Sequence, residues 1–147
     1  MKKTIAVYIL LFALFSGVTA QKKDYTPYVD PFIGAAGGGY TFPGPTLPSG
    51  MVKLGPACTH LTENAGWDPN GPIQGFSHTH INGSGGGCKY GNVLVMPTVG
   101  EIKPEDYGSE RGTEYAEVGL YGVDLKRYDI DVRLSATRHA GMHEYTF

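Results

Sequence analysis

Beyond its first twenty residues this sequence has no apolar run able to cross a bilayer as a helix, which takes about 20 residues. It also has no segment with the 3.6-residue apolar repeat of an amphipathic helix. Positive charge is scarce: 12 Lys and Arg stand against 14 Asp and Glu, for a formal net charge of -2. That balance leaves no basic footprint and argues against nucleic acid as a partner. No glycine run leads into Gly-Lys-Ser/Thr, and the glycines miss the dinucleotide-binding spacing, so the nucleotide reading fails. Cysteine occurs twice, at Cys58 and Cys88. A disulfide and two small buried thiols are both compatible with that, because spacing alone does not show whether the Cα atoms approach.

What is present begins with Lys2 and Lys3, the apolar run Ile5 to Phe15 and small residues closing at Ala20. A basic start, a short apolar centre and a small-residue close form a secretory signal peptide. No Cys follows it to carry a lipid. The expectation is a secreted, bacterial, periplasmic chain with a signal over 1–20, a polar linker over 21–27 and one domain over 28–147. The length is enough for a single core.

From Tyr28 to Gly50 the chain reads YVDPFIGAAGGGYTFPGPTLPSG. Proline removes backbone donors and glycine raises the entropy cost of ordering, so this stretch is no helix. Phe32, Ile33, Tyr40 and Phe42 make it an ordered loop packed on something rather than a disordered tract. Strands are expected at Met51–Leu54, Val93–Met96, Gly119–Leu125, Ile130–Thr137 and Gly141–Phe147. Ile130, Val132, Leu134 and Ala136 alternate cleanly against Asp131, Arg133, Ser135 and Thr137. Short strands punctuated by Gly and Pro predict an all-β fold, an antiparallel β-sandwich. Ending on an apolar strand at Phe147, the sequence reads as the front portion of something longer or as a chain cut short.

Three features carry chemistry. In GFSHTHINGSGGG, from Gly75 to Gly87, extended backbone puts Phe76, His78, His80 and Asn82 on one face, with neighbours about 7 Å apart. A metal site, a sugar-binding edge and a pair of hydrogen-bonded core histidines all fit. A metal needs three or four ligands, and His60, Cys58 and Cys88 could join only through the fold. Gly83, Gly85, Gly86 and Gly87 would let backbone amides approach a ligand. Trp67, in the turn-rich Asn64–Asn70, suits either a sugar face or a half-buried anchor. Of the acidic residues, Asp68 and Glu63 lie in that loop, while Glu110, Glu114 and Glu117 sit in a stretch that reads as solvated surface. No pair is expected to act as acid and base by itself.

Tyr28-Val-Asp-Pro-Phe-Ile-Gly34, Thr41-Phe-Pro-Gly44, Pro48-Ser-Gly-Met-Val52, Gly75-Phe-Ser-His-Thr-His80, Tyr90-Gly91 and Val95-Met-Pro97 follow one another in this order. Together they closely resemble the amino-terminal domain of glycoside hydrolase family 92, the exo-acting α-mannosidases. The resemblance implies a supersandwich-like β-domain that normally packs on a C-terminal (α/α) barrel, with a mannose-containing glycan as substrate and calcium as cofactor. Inversion would need an acid and a base about 6.5 to 9.5 Å apart. The resemblance puts both, and most of the calcium ligands, in the barrel, which this chain does not contain. Catalytic and metal residues are therefore expected to be none here. Trp67, His78, His80, Asn82 and the backbone of Gly37, Gly38, Gly39 and Tyr40 are the substrate-pocket candidates. The chain departs from the family pattern at Lys89, where an acidic residue is usual, and in the loop Gly34-Ala-Ala-Gly-Gly-Gly39. A non-catalytic carbohydrate-binding module is the reading from a different class.

Overall fold

The computed structural model describes residues 22–36, 39, 41–58, 66–80 and 92–147. Seven strands form two antiparallel sheets, and among the described residues there is no α-helix beyond a three-residue 3-10 turn at Thr26–Tyr28. β1 (Gly55–Cys58), β2 (Ile73–Thr79) and β3 (Asn92–Val95) make the first sheet, in chain order. β4 (Arg111–Glu117), β5 (Leu120–Leu125), β6 (Ile130–Ala136) and β7 (Gly141–Thr146) make the second, also in chain order.

The second sheet follows from alternation. Tyr121, Val123 and Leu125 on β5 and Ile130, Val132 and Leu134 on β6 are all buried. Arg133 between them faces out. Short turns set the register. Gly119 links β4 to β5 at φ +83, with open space where a Cβ would stand, so conformation rather than crowding calls for glycine there. Asp129, at φ 54, ends the turn into β6, a position Asp tolerates better than a branched residue. Gly122 lies directly beneath the Tyr115 ring, which leaves no room for a side chain.

Val52, Leu54, Ile73 and Phe76 from the first half join Tyr121, Val123, Leu125, Ile130, Val132 and Leu134 in one core. Each such side chain contributes roughly 1.5–3 kcal/mol on burial, which holds the two sheets as a sandwich. The chain also stitches the halves together: Ile73 bridges Ser109, and the Met51 amide donates to the Arg138 carbonyl at 2.8 Å.

Two expectations need correction. Met51–Leu54 is not a strand: Lys53 makes only an isolated bridge with Thr46, and the ladder begins at Gly55. Val52 and Leu54 gave the apolar signal because they enter the core, not because they pair. Glu110–Glu117 is not a solvated loop either, since Arg111–Glu117 is β4, paired along β5. Within it Arg111 and Glu114 pair with each other, as described below, while Glu110 and Glu117 stay exposed.

A second, smaller cluster is made by Ala35, Phe42, Cys58 and Trp67, with Phe32 packed against it. The Gly/Pro-rich loop supplies three of these five residues, so Phe32 and Phe42 pack as the sequence suggests, while Tyr40 lies outside the described residues. Ile33 and Tyr28 from the same stretch stay exposed.

Candidate functional site

Of the described candidates, Trp67 and His80 lie at this second cluster and Gly39 in the loop that supplies it, whereas His78 does not. The loop carrying Gly39 closes on itself: Ala35 N–H donates to Phe32 O at 3.0 Å, and Thr41 N–H to Gly34 O at 3.3 Å. Gly34 takes φ +80, and Gly39 comes so near the Gly34 carbonyl that a Cβ there would collide with it. Gly37, Gly38, Tyr40 and Asn82 lie outside the described residues, as do His60, Glu63, Cys88 and Lys89.

His80 follows the end of β2 and is 3% exposed. Its Nδ1 is 2.8 Å from the Lys53 carbonyl oxygen and its Nε2 is 3.1 Å from that of Pro56. The ring stacks on Phe42 with centroids 4.3 Å apart and planes 20° apart. Burial pulls the imidazole below its ordinary value, and the Lys53 charge adds to that, although the two carbonyls act the other way. The neutral ring donates to one carbonyl only. His78, two residues back, meets different neighbours. Its Cε1 would lie 2.7 Å from a Cβ on Gly141 of β7. It also helps to hold His143 below its ordinary value, after the larger effect of burial there.

Trp67 is 3% exposed and packs on Phe32 at a centroid distance of 6.0 Å. Its indole Nε1 is buried with no hydrogen-bond partner among the described residues. A buried unpaired N–H costs about 1–3 kcal/mol, so this donor is costly to leave as it stands.

The sequence did not point to the residue that binds the Trp67 loop to the second sheet. The Arg111 guanidinium stands over the Trp67 ring at 5.3 Å. Nε donates to Gly71 O at 3.2 Å, and Nη2 donates to the Asp68 and Gly71 carbonyls. Nη1 pairs with Glu114 Oε2 at 3.3 Å, and the other carboxylate oxygen accepts the Tyr121 hydroxyl at 2.6 Å. Burial, and then the Glu114 charge, lifts the Tyr121 hydroxyl well above its ordinary value. Cys58 lies in the same array as a free buried thiol, 3.7 Å from Asp68 O, and burial pushes it up to about 11. A thiol so placed is a small packed group and not a nucleophile. Gly112, second in β4, is the one local residue whose type marks the bulge, and it is legible only once the stretch is known to be a strand.

Asp68 and Glu114, the described carboxylates here, are committed to structure. Asp68 Oδ1 accepts the Asn70 N–H at 2.8 Å, and Glu114 is held by Arg111 and Tyr121. The arrangement suits holding loops in place more than moving protons. A separate open depression, lined by Asp124, Lys126, Asp129, Asp131, Thr146 and Phe147, lies away from Trp67 and His80.

Two antiparallel sheets packed over one core, with a smaller loop-built aromatic cluster beside them, define the class as an all-β domain. Residues 28–147 match the glycosyl hydrolase family 92 N-terminal domain, and the chain belongs to that family. It is 31% identical to an uncharacterized secreted glycosidase of Arthroderma benhamiae over 151 aligned residues, covering 95% of this chain and 20% of the relative. Its backbone is similar to the family GH92 α-mannosidase structure from Bacteroides thetaiotaomicron, with a TM-score of 0.77 and 29% identity over 88% of this chain and 19% of that one. The mannoimidazole complex of that enzyme gives a TM-score of 0.78 and 29% identity over 85% of this chain and 18% of that one. The chain thus spans about a fifth of the length of these relatives.

Proposed function

We propose that this chain is the front β-domain of a secreted or periplasmic glycoside hydrolase that releases terminal α-linked mannose from glycans with inversion. In this reading 1–20 is a signal, 21–27 a linker and 28–147 the domain. The domain supplies wall loops to a sugar pocket, while the acid and base come from a C-terminal (α/α) barrel docked against it. The observation that carries the reading is the family match over residues 28–147, joined to the backbone likeness to an α-mannosidase solved with mannoimidazole.

The pocket wall would comprise the loop holding Gly37, Gly38, Gly39 and Tyr40, the Trp67 loop, and His78 to Asn82. Trp67 and His80 are buried, so their part is to fix these loops from behind, with Phe42 and Phe32 as the packing between them. Among the described residues no group of three or more His, Cys, Asp or Glu could hold a metal ion. Calcium in this reading is held mainly by the barrel. Docking is supported by β3, an edge strand with Val93, Leu94 and Val95 all exposed. Bare apolar edges of this kind are usually covered. Among the described residues no helix is long and apolar enough to cross a membrane.

The test is α-mannosidase assay of residues 21–147 alone and of the full-length polypeptide that carries them. Only the longer protein is expected to cleave a chromogenic α-mannoside, with activity lost to a chelator and restored by calcium. Turnover by residues 21–147 alone, or a full-length protein inert toward α-mannosides, overturns the reading. Mannose binding without cleavage in both forms would point to a non-catalytic carbohydrate-binding module.

A further inference from the structure

β4 carries one residue more than its partner requires. Arg111 pairs with Leu125 and Glu114 with Val123, so three steps along β4 match two along β5. The extra residue makes a bulge at Gly112 and Thr113, and the Thr113 amide is taken up by Asp124 Oδ2 at 3.2 Å. In a regular strand, residues three apart point to opposite faces; the bulge restores Arg111 and Glu114 to the same side, within ion-pair distance. Both side chains are largely covered, at 9% and 17% exposure.

This geometry has a direction. Tyr121 is fully buried in the main core and anchors Glu114; Glu114 orients the guanidinium; the guanidinium grips the carbonyls of Asp68 and Gly71 and stands over Trp67. The Trp67 loop is otherwise a Gly-, Pro- and Asn-rich turn with little regular pairing of its own. Only a planar, multiply donating fork can serve these acceptors together, since a lysine ammonium offers a single point of charge.

We propose that Arg111 is a positioning residue that sets the affinity of the pocket for its mannoside by holding the Trp67 loop, without contacting the bond that breaks. The proposal rests on the pocket-wall reading given above. A purely packing role would lower the amount of folded protein. A positioning role changes KM while leaving kcat in place.

The test uses the full-length polypeptide with Arg111→Lys, Arg111→Met, Glu114→Gln and Trp67→Phe. KM and kcat are measured on a chromogenic α-mannoside, and amide hydrogen exchange is followed in peptides covering residues 66–72. Arg111→Met is expected to raise KM about tenfold, the loss of roughly one charge-assisted hydrogen bond, with kcat within about twofold. Exchange in 66–72 should speed up, Arg111→Lys should rescue little, and Glu114→Gln should fall between. Should Arg111→Met fail to fold, Arg111→Lys decides. Unchanged exchange in 66–72 overturns the clamp, and faster exchange with unchanged KM overturns its bearing on affinity. If Trp67→Phe raises KM while the Arg111 variants do not, the proposal alone falls; if none of them moves KM, the pocket-wall reading falls with it.

Discussion

Arg111 and Glu114 face each other at 3.3 Å on one strand although three residue steps separate them, because one extra residue between them folds out of the ladder. Gly112 makes that possible. A Cβ on it would stand 2.8 Å from the Asp124 Cβ. Gly112→Ala is therefore expected to destabilise the chain by about 1–3 kcal/mol, the usual range for an overpacked site, read as a fall in the urea midpoint. A midpoint equal to that of the parent would mean that Asp124 can swing aside and the bulge does not need glycine.

The Tyr121–Glu114–Arg111 chain should behave as a unit. Glu114→Ala leaves a covered guanidinium without its charge partner and is expected to cost about 2–3 kcal/mol. Tyr121→Phe should cost about 1 kcal/mol, since it removes one hydrogen bond to a carboxylate while keeping the ring. The double variant should lose less than the sum, because the second change removes a bond the first has already broken. Simple additivity in a denaturation cycle would refute the coupling.

His80 makes stability depend on pH with a definite sign. Its folded-state value is depressed, so the unfolded chain binds more protons and stability falls as pH drops below the ordinary 6.5. The loss continues until the folded-state value is reached. His143, also depressed by burial, acts in the same direction. Asp106, lowered by Arg127, acts only in the more acid window below its ordinary 3.8. The slope between pH 7 and pH 5, which brackets the ordinary His range, should be shallower in His80→Gln than in the parent. Equal slopes would remove His80 from the account.

β3 should make the isolated chain self-associate. Val93 is 71% exposed on an edge strand, with Leu94 and Val95 exposed beside it. Val93→Lys places a charge on that edge, and the sedimentation coefficient at high concentration is expected to fall toward the monomer value. The full-length protein, with the edge covered in the proposed reading, should respond to the substitution by poorer folding and not by better solubility.

The sequence made β6 and β7 plain because they are half-buried and alternate, so periodicity and pleat agree. β1 was hidden. Gly55, Pro56, Ala57 and Cys58 are buried throughout, and a strand covered on both sides has no alternation to read. β4 was disguised by charge. An arginine and a glutamate that neutralise one another under cover look on paper like two solvated residues. For the site, the residue types Trp67 and His80 stood out, but their burial could not be read, since the partners of His80 come from Lys53 and Pro56, more than twenty residues earlier. Arg111 lies 40 residues or more beyond the loop it holds, and nothing local to either segment announces that contact.

The two apolar clusters differ in how they are backed. The larger is clamped by strands of both sheets, whereas the smaller is lined chiefly by turns and loops whose backbone has few ladder bonds to break. Such a region opens in a partial, reversible melting that spares the rest of the molecule, at a free energy below that of global unfolding. The part of the domain around Trp67 is therefore expected to open before the sandwich does, and Arg111, bonded both to that loop and to Glu114 on β4, is placed to hold it shut.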